Sequence, residues 1–83
     1  MSEQKSQLVR CFACVFPDLP VERIPTARAQ SLEAWDSLAS ITLAAVVQET
    51  FGIEIDLLDL PGLDSFDAFH AYLDRRMAAG RAS

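Results

Sequence analysis

The run Trp35–Gly52, WDSLASITLAAVVQETFG, decides the fold. Asp36 is a strong N-cap, because its carboxylate can accept from the free backbone N–H groups of a first helical turn. Gly52 is an equally good stop. No charge interrupts Ser37 to Val47, and the apolar residues recur at helical spacing in two stripes. Leu43, Val47 and Phe51 make one stripe, which the core should take. Leu38, Ile41 and Ala45 make the other. It is either core as well, if the helix is central, or an exposed apolar patch beside Ser37 that docks partners. Spacing alone favours burial.

Working outward, Leu8, Cys11, Phe12 and Val15 or Phe16 give an amphipathic helix from about Glu3 to Phe16, ended by Pro17. From Pro17 to Trp35 the chain holds three prolines and scattered Leu19, Val21, Ile24 and Leu32, which predicts a long ordered loop anchored by those residues. A loop of that length in a compact domain points to function nearby. After Gly52, Ile53 to Leu57 alternates like a strand but has no pairing partner, so it reads as an extended link into a short helical turn near Leu57 to Leu60. Pro61-Gly62 breaks the chain. Asp64 or Ser65 then caps a last helix with Phe66, Phe69, Leu73 and Met77 on one face and Arg75 and Arg76 near its C-terminus. The expectation is an all-α, small four-helix bundle, three main helices plus one short one, with a long first loop. Residues 1–83 make a single domain, ordered from about 4 to 77, with a frayed tail at 78–83.

Composition agrees with a folded domain: 51% of the residues are hydrophobic and 23% charged. The net charge of −5 repels a phosphate backbone, so nucleic acid is not an expected partner. Acidic residues from Glu33 to Asp74 fall in a span without Lys or Arg, which can steer a basic protein surface. The start of the chain lacks a secretory signature and no apolar run spans a bilayer, giving a cytoplasmic expectation with no membrane span. Cys11 and Cys14 form a C-x-x-C, but His70 is the only histidine and a structural zinc site needs four ligands. No metal site is expected, and the two cysteines read as ordinary small core or boundary residues of a reduced protein.

Asp36-Ser37 has a second copy in Asp64-Ser65. Both pairs sit at helix starts, and for Ser65 capping suffices as an explanation. Ser37 has Trp35 and the long loop before it and an uncharged helix after it. With one histidine and no G-x-S-x-G elbow, a serine hydrolase is not indicated, nor is any enzyme. A serine at the first helical position is suited to hold a phosphate, since a phosphodiester on its Oγ would meet unpaired N–H groups and the positive helix end.

Trp35-Asp36-Ser37-Leu38, followed after a helix by Glu49-Thr50-Phe51-Gly52-Ile53-Glu54-Ile55, closely resembles the acyl carrier proteins. The resemblance runs from about Leu8 to Met77. It implies a four-helix domain whose Ser37, set between Asp36 and Leu38, carries a covalent 4'-phosphopantetheine arm added by a phosphopantetheinyl transferase. An acyl intermediate then rides as a thioester to partner enzymes of a lipid or specialised-metabolite pathway, such as an acyl ligase, synthase or acyltransferase with a basic or apolar docking surface. An aminoacyl or peptidyl carrier, or an unmodified carrier-like interaction module, is the alternative. The helix after Ser37 is the family's recognition helix, so Trp35, Leu38, Ile41, Thr42, Ala45 and Glu49 become candidate partner contacts on an expected monomer. That overrides the burial reading for Ile41 and Ala45. Ala39 and Thr42 stand where fatty-acid carriers usually have acidic residues, and Gln48 and Thr50 replace other common acidic positions. A partner would meet an unusually apolar helix, which speaks against a general fatty-acid role, and Trp35, where many fatty-acid carriers have a smaller residue, resembles the variant of dedicated carriers of specialised pathways.

Overall fold

A computed structural model describes residues 3–82, with side chains through Met77. Its architecture is all-α: α1 (Glu3–Val15), α2 (Ser37–Phe51) and α3 (Phe66–Ala82) are joined by segments that contain three 3-10 helices, at Val21–Thr26, Ala29–Ser31 and Leu57–Gly62. No helix among the described residues is long and apolar enough to cross a membrane. Among the described residues only an isolated bridge between Arg28 and Ser65 has β character.

The core forms around Phe12, which is fully buried in the last turn of α1. Its ring meets Phe66 at 5.2 Å, Trp35 at 5.4 Å and Phe69 at 5.7 Å between centroids. The last two are edge-to-face, the arrangement favoured by the ring quadrupole. Leu8, Cys11 and Phe16 continue this face of α1, Leu43, Ala44 and Val47 answer from α2, and Leu73 extends it along α3. No polar or charged residue is buried among those described, so hydrophobic burial and shape are what hold the helices together.

The long first loop is ordered, as its spacing predicts, but not by all the residues expected to anchor it. Ile24 is fully buried while Val21 is 61% exposed. The two lie three apart on one face of the 3-10 helix Val21–Thr26, so the helical period does not separate them; of the pair only Ile24 joins the core. Pro25 lies inside that helix without breaking it. The loop is then fastened to the start of α3, with Ala29 N–H donating to Asp64 O at 2.8 Å and Phe66 N–H to Ala27 O at 3.0 Å.

Beyond α2 the backbone turns through Gly52 at φ 66°, the left-handed region that favours glycine. Ile53 to Asp56 is neither helix nor strand, with Asp56 in extended backbone, and the buried Ile55 has no strand to pair with. The Gln48 side chain takes that place: Oε1 accepts from Ile55 N at 2.7 Å. The short third helix continues through Pro61 to Gly62 rather than stopping before the proline. It is moored by Tyr72, whose hydroxyl donates to Asp59 Oδ2 at 3.0 Å. Arg76 lies over the Tyr72 ring and donates to Glu54 O at 2.6 Å, fastening the link to α3. Burial and the Asp59 carboxylate, which favours the protonated hydroxyl, hold the Tyr72 pKa above the usual phenol value. α3 itself runs past Met77 to Ala82, and Ser83 of the expected tail lies outside the described residues.

Candidate site at the start of the second helix

Three consecutive residues set the entry to α2, each by a different force. Trp35 N–H donates to Leu32 O at 3.0 Å, closing the loop, and its side chain is 5% exposed. The indole packs on Phe12 and Phe16, and its Nε1–H donates to Ser40 Oγ at 2.8 Å. This corrects the expectation that Trp35 faces partners. The aromatic has more apolar area to gain from the α1 and α3 rings than from the surface, and Ser40 satisfies its one donor. Its role is to clamp the loop end and the first turn of α2 to the core.

Asp36, in extended backbone, is the N-cap: Oδ1 accepts from Ala39 N at 2.8 Å, and its carbonyl accepts from Ser40 N at 3.0 Å. The helix therefore begins at Ser37, whose side chain is exposed. Its Oγ has no partner among the described residues. With Ala39 N–H given to the cap, the N–H groups of Ser37 and Leu38 are the ones an α-helix leaves without intrahelical partners. A nucleophile-sized hydroxyl thus stands in solvent beside two free donors at the positive end of a helix.

From that corner an apolar stripe runs down α2. Leu38 is 72% exposed and Ile41 54%, with Ala45 exposed one turn further. Thr42 lies on the same face, its hydroxyl turned back to Leu38 O at 2.9 Å, and exposed Glu49 ends the stripe. Leu43 and Val47, on the opposite stripe, are fully buried. Phe51 packs half-buried against the same core. The helix therefore splits into a core stripe and an open one, rather than being buried on both.

The sequence reading did not single out Leu57 and Leu58, exposed by 71% and 86% on the short helix that packs against α2. The signal was present in Leu57-Leu58-Asp59-Leu60, because a single turn cannot turn three leucines inward. Leu60 is the one that reaches the core.

The other chemistry-bearing residues stand apart from Ser37 in their contacts. His70 Nδ1 lies 3.8 Å from Asp74 Oδ2 within α3, and its ring stacks on Phe66. Asp74 also accepts from Gln4 Nε2 at 2.7 Å, tying α3 to the start of α1. Cys11 is a buried free thiol whose pKa burial pushes up, and Cys14 is free and exposed. Ser65 is half-buried, and its Oγ accepts from Ala68 N at 3.0 Å. A scan against protein-family models, a search of curated proteins and a search of solved structures each find no match for this chain.

Proposed function

We propose that this protein is an acyl carrier, with a 4'-phosphopantetheine arm attached to Ser37 Oγ and an exposed α2 face that partner enzymes read. The observation that carries the proposal is the unpartnered, exposed Ser37 hydroxyl at the first position of a helix whose cap and core contacts are made by its neighbours. The residues present fit such a group. Ser37 N–H and Leu38 N–H are free to meet a phosphodiester, Asp36 is occupied with Ala39 N, and Leu38 offers an apolar surface to the arm beyond.

When bound, the arm supplies a terminal thiol that holds the acyl group as a thioester. The chain's own part is mechanical. Trp35 fixes the loop to the core on one side of Ser37, and Leu43 and Val47 fix α2 on the other, so the attachment point does not move with the cargo. A long arm on a rigid mount raises the cargo's effective concentration at a docked enzyme without tight docking. Leu38, Ile41 and Ala45 give that enzyme an apolar contact, with Asp36 and Glu49 at its ends to meet cations. The carrier does no catalysis, works as a cytoplasmic monomer, and depends on a phosphopantetheinyl transferase and on acyl ligase, synthase or acyltransferase partners of a lipid or specialised-metabolite pathway.

The test is intact-protein mass after incubation with coenzyme A and a broad-specificity phosphopantetheinyl transferase. One added phosphopantetheinyl group on the wild type is the expected result. No addition, with the transferase active on another carrier in the same tube, would overturn the proposal.

A further inference from the structure

Two arginines of the first loop, Arg23 and Arg28, line one concavity of ≈ 280 Å³ together with Thr26 and Ser31. Neither guanidinium makes an ion pair or hydrogen bond among the described residues, although the chain carries 12 acidic residues against 7 basic ones. No carboxylate lines this concavity. In so acidic a protein two unpaired cations sharing a carboxylate-free hollow form a local reversal of the field. Planar guanidiniums present forked donors suited to phosphate oxygens, and two of them match a dianion in charge.

The backbone beneath is fixed in place. Ile24 and Ala27 are buried, and the bonds of Ala27 O and Ala29 N to the start of α3 hold Arg28 from both sides. A second concavity of ≈ 340 Å³ adjoins the first, since Leu19 and Leu32 line both. Its other walls include Val15, Phe16 and Pro17, and its only charged lining residue is Asp18. An anion at the arginines can thus extend an uncharged, apolar part over Leu19 and Leu32. The reverse orientation would set like charges together at Asp18.

We propose that this loop binds a phosphate monoester bearing an apolar substituent, with the phosphate between Arg23 and Arg28 and the substituent over Leu19 and Leu32. The site involves neither Ser37 nor the exposed α2 stripe, so it stands or falls separately from the carrier reading.

The experiment is an amide chemical-shift titration of the isotope-labelled full chain with hexyl phosphate, inorganic phosphate and hexanol. Saturable shifts centred on residues 23 to 32 are expected, with hexyl phosphate binding about tenfold more tightly than inorganic phosphate. Hexanol should bind at least about tenfold more weakly than hexyl phosphate, and Arg23→Gln/Arg28→Gln should weaken hexyl phosphate about tenfold or more. Both arginines are exposed, so an unchanged helical circular dichroism spectrum is expected of that variant. Arg10→Gln/Arg75→Gln should bind as the wild type does. Shifts that fail to saturate, that spread over Arg10 and Arg75, or that persist in Arg23→Gln/Arg28→Gln would overturn the assignment. Tighter binding of a phosphoserine peptide than of hexyl phosphate would overturn it in favour of a protein ligand.

Discussion

Asp36-Ser37 and Asp64-Ser65 are the same dipeptide at the starts of the two longest helices, yet the register differs by one residue. At α2 the aspartate caps and the serine is the first helical residue, exposed and unpartnered. At α3 the serine caps, accepting from Ala68 N, and it is bridged to Arg28 and half-buried. The difference arises upstream. Trp35, buried in front of Asp36, sets where α2 begins, whereas the loop backbone from Ala27 to Ala29 bonds across Asp64 and Phe66 and holds Ser65 in line as the cap. One hydroxyl is used by the fold and the other is left over, and only a leftover hydroxyl is free to carry something.

The most severe way to break this comparison is to remove what sets the α2 register. Trp35→Ala deletes a buried aromatic and leaves Ser40 Oγ without its donor, so a loss of about 3–5 kcal/mol is expected in urea unfolding. Gln48→Ala should cost about 1–3 kcal/mol by the same measurement, because the N–H of buried Ile55 loses its acceptor. The two serines separate next. Ser65→Ala should cost about 1 kcal/mol as a lost cap, and Ser37→Ala should change stability by less than about 0.5 kcal/mol. Equal costs at the two sites would erase the distinction between them. The smallest expected effect on stability is that of Ile41→Glu, within about 0.5 kcal/mol, since the side chain already stands in solvent. The same variant should still impair transfer of cargo by a partner enzyme. Unfolding of Ile41→Glu would return that stripe to the core.

Much of α2 was legible because its signals are local. A capping aspartate, an uncharged periodic run and a glycine at the end define α2 without reference to the rest of the chain, and the observed Ser37–Phe51 helix follows them. The core stripes of α1 and α3 are equally plain at spacings of three and four. The failures occur where a distant partner decides. Nothing near Trp35 in the sequence reveals the three phenylalanine rings that bury it, and no periodicity announces that Arg28 will bridge Ser65. Pro25 read as part of a loop and Pro61 as a break, yet each sits within a 3-10 helix, where a residue without an N–H is tolerated if that donor is not needed. The hydroxyl and its cap were thus legible from local signals, whereas spacing pointed the open stripe inward and only the family resemblance turned Ile41 and Ala45 outward; the aromatic clamp behind them was illegible.

The measurement that tests the account most directly sets the two serines side by side: intact mass of Ser37→Ala and Ser65→Ala after incubation with coenzyme A and an active phosphopantetheinyl transferase. One added phosphopantetheinyl group on Ser65→Ala and none on Ser37→Ala is the predicted result. Addition to Ser37→Ala would contradict it, because the hydroxyl carrying the arm would then lie elsewhere.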